Sequence, residues 1–324
     1  MNGAPQPQIS VIGPVGQAIE KTRQILFSPF EWGKWFTIGF CAWLAFLCGG
    51  SGGSFFNKLP QGGRLEIRHF VESNLYWIVP AGIVIVLFMI AVSVILTWVH
   101  SRGKFMFLYC VAKNKTEVKR PWTEYSREGN SLFLFNLVLW LAGMICFIPI
   151  IAGWIVIIIP IVHKEQLLLA AAGMIALLTL ITLLVIIVFR LIAKFTTDFV
   201  IPTMFISRIR CMEAWKRVWK LIKDNFGNIV LYILFQIVLA IAIGSILVIP
   251  LFFLYTISCC CLFPCFLLMA IPCVGLPISL AFQYMLTVVL LPLFVFKRSY
   301  SALYLAQYGP QWDVFAEEKN QPMP

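Results

Sequence analysis

Residues 167–202 read "LLLAAAGMIALLTLITLLVIIVFRLIAKFTTDFVIP", and the reading of this stretch decides the fold. Its first 23 residues, 167–189, carry no charge. At about 1.5 Å per residue they form a helix of about 34 Å, and about 20 apolar residues suffice to cross the hydrocarbon core of a bilayer. The span is therefore complete before Arg190. Arg190, Lys194 and Asp198 then follow at intervals of four, and Pro202 closes the stretch. Arg190 and Lys194 can snorkel from a cytoplasmic exit to water. Asp198 admits two readings. If the helix continues, Lys194 and Asp198 pair across one turn in the weaker orientation, and Pro202 deprives the Asp198 carbonyl of its donor. If the helix breaks near Thr197, Asp198 caps the helix that follows.

The rest of the chain repeats the pattern. Of 324 residues, 60% are hydrophobic and 12% charged, against about 25% charged in soluble domains. Six apolar stretches read as spans: 33–48, 75–99, 131–161, 167–189, 227–257 and 266–296. Each satisfies its backbone internally as a helix, which lipid demands. The first is short and begins in the interface; three are over-long, with Pro149, Pro250, Pro272, Pro277 and Pro292 as bend points. The fold class is thus an all-α, polytopic bundle of six transmembrane helices. Residues 1–8 and 309–324 read as disordered tails around a membrane domain at 9–308.

Lys and Arg set the orientation. With both termini in the cytoplasm, inner segments hold 21 of them and outer segments four, the asymmetry that membrane insertion favours. The net charge of +11 therefore implies a basic inner face. Nucleic acid is not an expected partner, because the basic residues border apolar spans and build no soluble face.

Gly33, Gly129 and Gly227 each open an odd-numbered span after a Trp-containing segment, which suggests three helical hairpins entered through interfacial amphipathic helices. In 208–224, Met212, Trp215, Val218, Trp219 and Ile222 follow helical spacing among Arg208, Lys216, Arg217, Lys220 and Lys223. Such a helix can lie on the inner leaflet with its cations near anionic headgroups, or pack beneath the spans. Residues 9–27 repeat it more weakly through Val11, Val15, Ala18, Ile19, Thr22 and Leu26, where packing is the expected role.

Catalytic machinery is not visible. His69, His100 and His163 are dispersed by topology, and no paired carboxylate or nucleophile motif is present; no catalytic residue, metal or cofactor is expected. The stretch "SCCCLFPC" (258–265) sits between the last two spans on the outer side. Its cysteines read first as small apolar residues, with a Cys261–Cys265 disulfide as the alternative in an oxidising compartment. Within the spans, Asn136 and Gln236 lie at comparable depth and are candidates to face one cavity; Asp198, Lys194 and Arg190 complete the polar candidates, with Pro202 and Pro292 as matching hinges. In the last hairpin Arg298 matches Arg208, and Val288 stands where Asp198 does.

The stretches "SRGKFMFLYCV" (101–111), "PWTEYSREGNSLF" (121–133), "DFVIPTM" (198–204) and "EAW" (213–215) resemble a family of uncharacterised bacterial and archaeal six-span membrane proteins, similar to the membrane domain beside glycerophosphodiester phosphodiesterases. The resemblance covers roughly residues 15–310. It implies a plasma-membrane protein and brings no catalytic residues. The expected function is non-enzymatic, in transport or in membrane and envelope organisation. The alternatives are an intramembrane enzyme or enzyme subunit acting on lipids, and a scaffold recruiting lipids or partners through its basic face.

Overall fold

The computed structural model describes residues 9–46, 75–163, 168–268 and 272–316. The described residues are helical and contain no strand. In chain order the helices are α1 (Gly13–Phe27), α2 (Trp32–Phe46), α3 (Leu75–Lys113), α4 (Lys119–Glu124), α5 (Ser126–His163) and α6 (Leu168–Phe195). A π-helical turn, Thr196–Val200, joins α6 to α7 (Ile201–Ser207). There follow α8 (Cys211–Asp224), α9 (Phe226–Leu268), α10 (Pro272–Val289), α11 (Leu291–Ala306) and a 3₁₀ turn at Pro310–Trp312.

By length and apolarity four of these segments can cross a membrane: Val79–Lys113, Ser126–Ile158, Ala172–Ser207 and Phe226–Val248. A fifth is the pair Leu280–Val289 and Leu291–Ala306, if its 64° bend lies within one span. The bend falls just before Pro292, one of the expected hinges, whereas α5 runs unbroken through Pro149 and α9 through Pro250. The described part of α2, read as a short first span, has 15 residues, or about 22 Å, against a hydrocarbon core of roughly 30 Å. One sequence expectation needs correction. The stretch 258–265, read as an outer connection, lies inside α9. Nothing in Ser-Cys-Cys-Cys-Leu-Phe supplies a polar turn, so an apolar helix continues through it. Cys261 and Cys265 sit one turn apart on that helix, and their side chains lie outside the described residues, as do the two chain ends at 1–8 and 317–324 and the segment 49–74 expected as an outer loop.

The tertiary core is gathered at one end of the long helices. Phe105, Tyr109, Phe199, Met204, Tyr232, Tyr300 and Tyr304 are all buried there, whereas the apolar windows of α3 and α6 bury nothing. Val84, Leu87, Phe88, Leu177, Leu180, Leu184 and Val238 remain more than half exposed. The helices thus rise from a packed base with their apolar surfaces free for lipid, which a soluble protein could not tolerate. Helix α2 belongs to this base. It wedges between α3 and α10, and both crossings depend on glycine: a Cβ on Gly103 would lie 2.7 Å from the Leu44 backbone carbon, and one on Gly39 would lie 2.7 Å from Val288 Cγ2.

Helix α1 lies along α11. Tyr300 donates its hydroxyl to the Val11 carbonyl at 2.9 Å. Ser10 and Gln307 clamp the two ends: the Ser10 N–H donates to Gln307 Oε1 at 2.8 Å, and Gln307 Nε2 donates to the Ser10 carbonyl at 2.9 Å. The core continues past 308, where the sequence reading ended the membrane domain: Trp312, Val314 and Phe315 are buried.

Helix α1 with the bend before it buries Val11, Pro14, Ala18 and Thr22, and helix α8 buries Cys211, Ala214, Val218 and Ile222 at the same spacing. In α8 this face is turned from the expected one. Met212 and Trp219 stay exposed, at 63% and 52%, while the small Cys211 and Ala214 allow close docking. The Cys211 N–H donates to Ser131 Oγ of α5 at 3.0 Å, anchoring the start of α8. Burial pushes the Cys211 thiol up to about 12, against a smaller opposing pull from Lys104. The thiolate is the reactive species, so Cys211 is expected to resist iodoacetamide at pH 8 in the folded protein and to react after unfolding. Peptide mapping of the labelled protein checks this.

Candidate functional site

The candidate site is the end of α6, and it begins with a backbone irregularity. Thr196, Thr197 and Thr203 each return their hydroxyl to the carbonyl four residues back, at 2.7, 3.0 and 2.7 Å. Such back-bonding competes with the helical ladder and bends helices. In the π register the Ile201 N–H donates to the Thr196 carbonyl, five residues back. In an α-helix that donor would serve Thr197. The next residue that could serve Thr197 in the π register is Pro202, which has no N–H. The Thr197 carbonyl is therefore open, and Arg298 Nη1 of α11 fills it at 2.5 Å. The sequence reading placed the consequence of Pro202 at the Asp198 carbonyl; the π turn adds an open acceptor at Thr197.

The same turn collects side chains from three other directions. Lys194 Nζ lies 2.8 Å from Asp198 Oδ2, so the helix continues through this region and the Lys194–Asp198 pair forms. Tyr232 of α9 donates its hydroxyl to the same Asp198 oxygen at 3.0 Å. Gln236 Nε2 donates to the Tyr232 hydroxyl at 3.2 Å, and Lys194 Nζ reaches Gln236 Oε1 at 3.5 Å. Lys104 Nζ, from the C-terminal part of α3, lies 3.5 Å from Thr197 Oγ1. Tyr232 is clamped by rings, with Tyr304 at 4.4 Å and Phe199 at 5.2 Å between centroids. The carboxylate is thus held in one geometry from two helices. The site lies on a π turn, a form often found at functional positions.

The remaining candidates separate from this hub. Arg190 is exposed and forms no ion pair among the described residues. Asn136 donates to Ser101 Oγ at 3.0 Å, so it and Gln236 serve different partners. Pro202 and Pro292 also differ in effect, one within a continuous segment through the π turn and the other beside the 64° bend. Arg208 and Arg298, paired by sequence position, part company as well. Arg208 takes a left-handed conformation with φ 53°, stacks 3.8 Å over Tyr125 and bonds Glu124, while Arg298 is buried at Thr197. His100 is buried with Nδ1 unpartnered. Among the described residues no group of His, Cys, Asp and Glu is placed to hold a metal.

Sequence reasoning missed Tyr232, Lys104 and Arg298. A Lys-Arg pair five residues beyond Pro292 was the available signal for Arg298. Asp198→Ala is expected to lower stability by about 1–3 kcal/mol, since it removes the half-buried carboxylate that Lys194 and the Tyr232 hydroxyl share. Arg190→Ala should stay within about 0.5 kcal/mol of the parent. Thermal unfolding of both variants in one detergent checks this, and equal effects would reject the special role of Asp198.

All of these residues fall within one family match. The chain matches a family of unknown function, DUF7544, over residues 9–315. It belongs to that family. No curated protein and no solved structure matches the chain. The DUF7544 match begins at the first described residue and ends at Phe315, so it takes in the α1–α11 clamp and the buried segment around Trp312.

Proposed function

We propose that this chain is a non-enzymatic plasma-membrane scaffold that organises the inner leaflet through its packed basic base. We infer six spans in three hairpins, a repeated architecture, and both termini in the cytoplasm. The 21-to-4 distribution of Lys and Arg supports that orientation, and the equivalent burial of α1 and α8 supports the repeat. Kinship with the membrane domain beside glycerophosphodiester phosphodiesterases, and a bacterial or archaeal source, rest on the motifs quoted above.

One observation carries the scaffold reading. On α8, Met212, Lys216, Trp219, Lys223 and the following Phe226 are all exposed at helical spacing, with Lys223 Nζ 5.7 Å from the Trp219 ring. Apolar and aromatic groups thus alternate with lysines along one stripe. Such a face suits the acyl–headgroup boundary, where cations meet anionic lipid. Transport is the second reading, favoured by the Lys194–Asp198–Tyr232–Gln236 network, since polar clusters in membrane segments mark pathways.

The test is native extraction in polymer nanodiscs with lipid analysis, then flux assays in liposomes. Enrichment of anionic lipid that falls in a Lys216→Gln, Lys220→Gln, Lys223→Gln variant supports the scaffold. Unchanged lipid composition together with solute flux would replace it by transport.

A further inference from the structure

The hub around Asp198 has a charge imbalance. Lys194 pairs with Asp198 at 2.8 Å. Arg298 Nη1 sits on the carbonyl of Thr197, the residue before Asp198, and Lys297 adjoins Arg298 in the chain. Neither Lys297 nor Arg298 makes a salt bridge among the described residues. Asp198 is thus accompanied by Lys194, Lys297 and Arg298, with Lys104 at Thr197 Oγ1, and its Oδ2 is already shared between Lys194 and Tyr232. Uncompensated charge away from bulk water is costly.

Arg298 sharpens the point. Its residue surface is 7% exposed. Nη1 serves the Thr197 carbonyl, while Nε and Nη2 are buried with no partner. Buried guanidinium donors are normally satisfied. The neighbouring cations keep an open side: the Lys194 side chain is 34% exposed and Lys297 is exposed.

We propose that α6 and α11 together hold one phosphate-bearing anion, contacted by Lys194 and Lys297, with Arg298 as the fixed charge behind it. Phosphate matches this donor set. Lysine binds it as a point charge, and the buried guanidinium of Arg298 adds a permanent positive charge behind it. At the inner edge of the spans the natural bearer is the phosphodiester of an anionic phospholipid, with its acyl chains along the exposed apolar surface of α6. Gln236 and the Tyr232 hydroxyl border the site and supply neutral hydrogen-bonding groups. The placement at the inner leaflet rests on the orientation proposed above; the site differs from the α8 stripe in binding one anion at a fixed place.

Native mass spectrometry of the full chain, stripped of lipid in a neutral detergent, tests the site. The probes are phosphatidylglycerol, phosphatidylcholine, glycerol 3-phosphate and inorganic phosphate. One phosphatidylglycerol per chain is expected, at least tenfold tighter than phosphatidylcholine. Retention of glycerol 3-phosphate or inorganic phosphate at the same residues would also uphold a phosphate site and assign it a soluble source. Lys297→Gln should weaken binding about tenfold with no change in thermal unfolding, because Lys297 is exposed. The α8 variant should bind normally, so failure of the scaffold reading and failure of this site give different results. Binding that is independent of Lys297, or no preference for any phosphate-bearing anion, would overturn the proposal.

Discussion

Arg298→Ala is expected to destabilise the base by about 3 kcal/mol. The loss combines a charge-assisted hydrogen bond of about 1.5–3 kcal/mol with the packing of a long buried stem. Its cause is specific and can be isolated. The Thr197 carbonyl depends on Arg298 because Ile201 donates to Thr196 and Pro202 has no N–H. Pro202→Ala restores a donor at 202, within reach of Thr197 in the π register. In that background Arg298→Ala should cost about 1–2 kcal/mol less, a coupling measurable by a double-mutant cycle. Denaturation of the four proteins in one detergent supplies the numbers. Equal costs in both backgrounds would show that Arg298 does not act by completing the π turn.

Gly103→Ala should cost about 2–3 kcal/mol, more than its size suggests. The added Cβ would meet the Leu44 carbon and the Ala45 nitrogen at 2.7 and 2.9 Å. These are backbone atoms that cannot turn aside, so α2 must move as a unit, an overpacking cost. Gly82 lies on the same helix with nothing within 4 Å of its Cβ position. There alanine should be neutral or stabilising by up to about 1 kcal/mol through helix propensity. Gly39→Ala is intermediate, since Val288 Cγ2 is a side-chain atom with some freedom. Thermal unfolding midpoints and the monodisperse yield of the three variants give the order, and similar losses at 82 and 103 would remove the close crossing as an explanation.

The candidate site was legible only in its local part. Lys194 and Asp198 are four residues apart, and helical geometry alone brings such residues together. Their pairing therefore follows from continuity of the helix. Tyr232 and Arg298 lie 34 and 101 residues away from their partners in the site, and no periodicity encodes which faces of distant helices meet. The α8 stripe shows the same limit. Spacing correctly marks an amphipathic helix, but the docked face uses Cys211 and Ala214 in place of Met212 and Trp219. Small side chains let backbones approach, whereas hydrophobicity does not distinguish protein from lipid as the neighbour.

Composition and hydropathy by themselves determined that this protein is α-helical and membrane-bound, because about 20 uncharged apolar residues in a row leave lipid as the only suitable solvent. They also located where charges return to the chain, after residue 189. Only the tertiary structure decided that α2 is a wedge in the base and that the Thr197 carbonyl is closed from α11. Each depends on where two segments cross, and a crossing is set by the shapes of both partners.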